Sequence, residues 1–133
     1  MKNQQCIILS KDAGFLTIVK ATLKEYQFKT RHSEDIEMLG PLSTGSMTVA
    51  WFIDLDGISQ TVTDVSVLAR KTVPDAKIVF TSSRFTRELA EECLQQRVAG
   101  LLVKPLPVPR LVQVVNSLCQ EPELLDREDL IPN

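Results

Sequence analysis

Four short polar clusters carry the groups in this 133-residue chain that could do chemistry, and each follows a brief apolar run. Ser10-Lys11-Asp12 follows residues 6–9, Asp54-Leu55-Asp56-Gly57 follows 49–53, Thr81-Ser82-Ser83 follows 77–80, and Lys104-Pro105 follows 101–103. A carboxylate, a hydroxyl and an ammonium brought together form a toolkit for a phosphoryl group. The carboxylate oxygen attacks phosphorus, the hydroxyl and ammonium hold its oxygens, and a divalent metal neutralises the remaining charge. Any one of these residues alone reads as ordinary solvation of a strand end. Their joint occurrence, in chain order, is the informative signal.

The elements that must position them are legible from the apolar pattern. Continuous apolar runs of three to five residues fit strands covered on both faces, as in a parallel sheet. Stripes at helical spacing lie between them: Phe15, Ile18, Val19, Thr22, Leu23 and Tyr26; then Val62, Val65, Leu68, Ala69 and Val73; then Leu89, Ala90, Cys93 and Leu94. A last stripe, Leu111, Val115 and Leu118, follows Pro107 and Pro109, and proline suits a helix start. Residues 28–33 are polar enough for an edge strand, 35–39 suggest a short helix, and 40–46 form a loop. The alternation predicts a doubly wound α/β sandwich, flavodoxin-like, with five parallel strands in the order 2-1-3-4-5. Ligands in such sheets collect at the carboxyl ends of the strands, where the four polar clusters fall.

Composition sets the outer limits. The chain has 15 Lys and Arg against 17 Asp and Glu, 44% apolar residues and 5% aromatic. That length suits one domain, here expected over residues 1–120, with 121–133 an acidic, proline-interrupted tail or the start of a linker. A net charge of −2 argues against a nucleic-acid module, which gathers a basic excess on one face. No apolar stretch approaches the roughly 18 residues of a membrane span. Three cysteines at 6, 93 and 119 make neither a disulfide framework nor a zinc cage, so a cytoplasmic location is expected.

Asp54 after Val-Ala-Trp-Phe-Ile, Thr81 after Lys-Ile-Val-Phe and Lys104-Pro105 after Ala-Gly-Leu-Leu-Val resemble the signature of CheY-like response-regulator receiver domains. The resemblance covers residues 5 to about 120, and Leu111 falls where such domains place a core leucine. It implies that Asp54 is the phosphoacceptor, that Thr81 and Lys104 contact the phosphoryl group, and that the peptide before Pro105 is cis. It further implies a role in two-component or phosphorelay signalling. The partners would be a sensor kinase or phosphotransfer protein, or an output domain, with a homodimer left open.

Three departures from that pattern stand out. The acidic pair that holds Mg²⁺ in receivers is replaced by Ser10 and Lys11, leaving Asp54, Asp56 and Asp12 as a weak or absent metal site. Leu101 stands at the switch position usually held by an aromatic residue. Gly57-Ile58 replaces the Met-Pro that usually follows the acceptor. The expectation is an atypical pseudo-receiver with a degraded acidic pocket, in which Mg²⁺ binding is doubtful. Lys11 either pairs with Asp54 in place of the metal or points into solvent.

Two other readings compete. Phe52-Ile53-Asp54-Leu55-Asp56-Gly57 also resembles the first motif of haloacid-dehalogenase-type phosphatases, with Asp54 as nucleophile and Asp56 as general acid/base. That motif normally opens the core sheet, whereas here about fifty residues with their own strand and helix pattern precede it. A flavodoxin-like cofactor binder would need a phosphate loop after the first strand, and Ser10-Lys11-Asp12-Ala13-Gly14 is a poor one. No GxSxG, GxGxxG or Walker loop occurs, and His32 has no base partner in view. The chain is therefore expected to signal by contact, with no catalytic residues. A phosphatase assay with Mg²⁺ should give no multiple turnover; robust turnover lost in Asp56→Asn would favour the dehalogenase-type reading.

Overall fold

The computed structural model describes residues 4–42 and 47–119. Five strands, β1 (Gln4–Leu9), β2 (Lys29–Ser33), β3 (Met47–Asp54), β4 (Lys77–Ser82) and β5 (Gly100–Val103), form one sheet in the order 2-1-3-4-5, as expected. Every pairing is parallel. The helices are α1 (Ala13–Glu25), α2 (Val62–Thr72), α3 (Arg87–Leu94) and α4 (Val108–Cys119).

The alternation of side chains along each strand sorts the core into two layers. Cys6, Ile8, Ala50, Phe52, Val79 and Leu102 face α1 and α4, meeting Phe15, Val19, Leu23, Leu111, Val115 and Leu118. Ile7, Leu9, Trp51, Ile53, Ile78 and Phe80 face the other way, against Val65 and Ala69 of α2 and Cys93 of α3. Because β1, β3 and β4 are covered on both sides, their sequences run apolar without a break, which is the signal the sequence carried. Leu111 is fully buried in the first layer. Burial in apolar surroundings raises the Cys6 thiol to about 12 and the Cys93 thiol to about 11, leaving both protonated and inert.

Local rules explain where the helices begin. Asp12, Thr61 and Thr86 cap α1, α2 and α3, accepting from the amides of Phe15, Asp64 and Leu89. Ser10 Oγ accepts the Asp12 amide at 2.9 Å, so the capping of α1 falls to Asp12. The segment expected as a short helix over 35–39 is a single 3-10 turn, Ile36–Met38, capped by Asp35. Arg31 on β2 ties this segment down by donating to the Leu39 and Pro41 carbonyls. So short an element buries only Ile36 and Leu39, and β2 remains an edge strand. Part of the loop at 40–46 and the acidic segment 121–133 lie outside the described residues.

Candidate functional site

Strand register brings the four polar clusters to one end of the sheet. Leu9 pairs with Ile53, Asp54 with Thr81, and Ser82 with Val103. The backbone ladder then runs one step further. Ser10 donates to Ser33, Leu55 to Thr81 and Lys104 to Ser82, at 3.1, 2.8 and 3.0 Å. Each polar residue is thus fixed by main chain before its side chain acts. The Lys104-Pro105 peptide is cis, as the resemblance implied.

Asp54 is fully buried, and both its oxygens are engaged. Oδ2 accepts from Ser10 Oγ at 2.7 Å and from Lys104 Nζ at 2.7 Å, while Oδ1 accepts the Asp56 amide at 3.0 Å. Lys104 also reaches Asp12 Oδ2 at 2.8 Å and Asp56 Oδ2 at 3.3 Å, so one ammonium serves three carboxylates. Its Nζ lies 5.3 Å from the centre of the Phe15 ring, a cation–π contact that covers one side of the charge. Partial burial pulls the Lys104 pKa down, but the three carboxylates outweigh it and hold the amine above the ordinary lysine value. Asp12 is lowered, first by the Lys104 hydrogen bond and then by the Phe15 amide. Burial pushes Asp56 up; the Ser83 amide, at 3.0 Å, and Lys104 reverse the sign and leave it lowered.

Thr81 is equally buried, one strand over from Asp54, and its hydroxyl has no hydrogen-bond partner among the described residues. A buried hydroxyl without a partner costs free energy, and Thr81 carries that cost at the strand end beside Asp54. Lys11 does not compete for Asp54. Its side chain is exposed, and its charge acts on Asp35. Its stem runs past Gly57, where φ is +88° and a Cβ would stand 3.7 Å from Lys11 Cδ. Leu101 pairs with Phe80 and is partly buried against the second core layer. Sequence reasoning missed two contacts. Asp12 is a partner of Lys104, signalled only by its place at the start of α1. His32 meets the Ser10 carbonyl through Nε2 at 2.8 Å across the edge strand.

Mg²⁺ takes oxygen ligands in near-octahedral geometry and prefers carboxylates unencumbered by cations. Here Asp12, Asp54 and Asp56 all turn an oxygen to the same ammonium, and Asp54 has no oxygen without a donor. No group of three acidic, histidine or cysteine residues able to hold a metal occurs among the described residues. This donor set does not fit the cation. The dehalogenase-type role for Asp56 fares no better, because a carboxyl held below its usual pKa by an amide and an ammonium is a poor proton donor.

The fold is that of response regulator receiver domains. A receiver protein from Pseudoalteromonas atlantica superposes with a TM-score of 0.71 at 13% identity, over 85% of this chain and 94% of that one. The orphan response regulator HP1043 of H. pylori gives 0.72 at 13% identity, over 90% of this chain and all of the other. A Burkholderia pseudomallei response regulator with a phosphorylated aspartic acid and a calcium ion gives 0.66 at 16%, over 97% and 75%. No protein-family model and no curated protein sequence matches the chain.

Removing the ammonium should expose how much the site depends on it. Lys104→Met leaves Asp54 buried without a countercharge and should cost about 3–5 kcal/mol in urea unfolding. Adding Asp54→Asn should recover part of the loss, with a coupling of about 1–3 kcal/mol across the cycle. The pH dependence follows from the shifts. Asp12, Asp35 and Asp56 sit below their ordinary value of 3.8 in the fold, so their stabilisation is complete above it and is lost as pH falls through the folded values. The urea midpoint should therefore hold near neutrality and drop below pH 3.8, and the drop should be shallower in Lys104→Met.

Proposed function

We propose that this chain is a receiver-type signalling module that acts through protein–protein contacts, with its aspartate pocket held in one state by its own side chains. The observation that carries the reading is the buried Asp54 carboxylate clamped between the Ser10 hydroxyl and the Lys104 ammonium, with an unused Thr81 hydroxyl beside it. In this reading Asp54 holds the phosphoacceptor position, Thr81 and Lys104 the phosphoryl-contacting positions, and Leu101 the switch position. Residues 1–120 form the signalling unit, and 121–133 lead to or contact an output. The partners are a sensor kinase or phosphotransfer protein on one side and an output domain or protein on the other, in the cytoplasm.

The electrostatics distinguish this pocket from one with an acidic pair. Exchanging two carboxylates for a hydroxyl and an ammonium alters the local formal charge by up to three units. Each unit is worth on the order of 1–4 kcal/mol at contact distance in a wet pocket. Mg²⁺ is therefore weakly held, and phosphorylation of Asp54 is slow or absent. To accept phosphorus, Asp54 Oδ2 must first release Ser10 or Lys104, and its full burial denies a phosphodonor direct approach. An incoming phosphoryl group would still find the Lys104 ammonium and the Thr81 hydroxyl ready to bind its oxygens.

Restoring the acids tests the pocket. Ser10→Asp/Lys11→Asp should raise Mg²⁺ affinity by at least about tenfold in calorimetry. It should also permit labelling by a small phosphodonor, seen as one added phosphoryl in the intact mass. Trp51 is a poor reporter for this titration because its ring is buried in the core layer facing α2 and α3. Tight Mg²⁺ binding and ready labelling of Asp54 in the unaltered chain would make this an ordinary phospho-switch and sink the proposal.

A further inference from the structure

The face farthest from the aspartate pocket holds a second feature. Between α1 and β2 lies a concavity of about 590 Å³ lined by Lys20, Ala21, Lys24, Phe28, Lys29 and Thr30. Lys20 and Lys24 stand one turn apart on α1, and Lys29 opens the edge strand. The three lysines line it together with Ala21 and the buried Phe28, and among the described residues no carboxylate lines it. A chain of net charge −2 has concentrated three cations here.

Residues 121–129 have the complementary composition: Glu121, Glu123, Asp126, Glu128 and Asp129 against a single Arg127, with Leu124 and Leu125 among them. Their point of departure is also adjacent. The segment follows Cys119 at the end of α4, which packs beside α1. Cys6 on β1 lies in the core layer that α1 and α4 cover together. Cys6 in turn pairs in register with Thr30, which lines the groove. One strand spacing is about 4.8 Å, and each extended residue spans up to about 3.3–3.6 Å. An extended segment leaving α4 starts from a helix that contacts α1, and a few residues span the width of one helix.

We propose that the acidic segment 121–129 docks across the Lys20–Lys24–Lys29 groove of its own chain, carboxylates on the ammonium groups and Leu124-Leu125 over Ala21 and Phe28. Each exposed pair is weak alone, but the tether makes the contact intramolecular and raises its effective concentration to the millimolar range. The docked segment screens the free side of the sheet, and an acidic partner must displace it to use the groove. This inference does not rest on the reading of the aspartate pocket.

Zero-length carbodiimide cross-linking of a mixture of isotopically light and heavy full chains tests it. Links from Lys20, Lys24 or Lys29 to the acids of 121–129 should appear within one label. They should vanish in Lys20→Gln/Lys24→Gln/Lys29→Gln, and fade at about 1 M salt, where the Debye length is about 3 Å. Acylation of the three lysines should accelerate at least about threefold when the five carboxylates are changed to amides, with Lys71 and Lys77 unaffected. Links predominantly between labels would assign the groove to a second copy and overturn the proposal. Links to other lysines, or acylation rates that do not respond to the amide changes, would overturn it as well.

Discussion

A carboxylate with no exposed surface must be neutralised or paired, and in this protein that demand falls on one lysine. Asp54 lies at the end of a central strand with no access to water, so its charge is tolerable only because Lys104 and Ser10 reach it. Lys104 in turn can be held there because Asp12 and Asp56 complete its surroundings and Phe15 covers its flank. These groups come from the ends of β1, β3 and β5 and from the first turn of α1. The ion cluster therefore joins elements that have no sequence proximity, 92 residues separating Lys104 from Asp12.

The countercharge at Asp54 is an ammonium that is covalently part of the chain. The same contacts that stabilise Asp54 engage both of its oxygens. Thr81 Oγ1 is buried there and has no hydrogen-bond partner among the described residues.

At the β2 edge of the sheet the constraint is different. The 3-10 turn between β2 and β3 is too short to cover the outer strand, so β2 stays on the edge with a polar sequence and an exposed lysine at its start. Edge strands are commonly protected by charge or by a covering segment. Lys29 supplies the first here.

The sequence by itself determined the sheet. Apolar runs bounded by polar residues can be satisfied only when both faces of a strand are covered, and the helical stripes between them supplied the covers, so strand order and the placement of Asp54, Thr81 and Lys104 at one end were legible. It also showed that the acidic pair was missing. Which ammonium answers Asp54 was decided by tertiary structure alone. Lys11, next to Ser10, could have paired with Asp54 or pointed into solvent; it is exposed, with its stem beside Gly57, while Lys104 reaches Asp54 from the end of β5. The place of Asp12 was likewise hidden, because a single aspartate at a helix start reads the same whether it only caps or also binds a distant lysine. Short-range patterns fix elements; pairing between charges 50 or 92 residues apart depends on where rigid strands end and which side chains have room to turn inward.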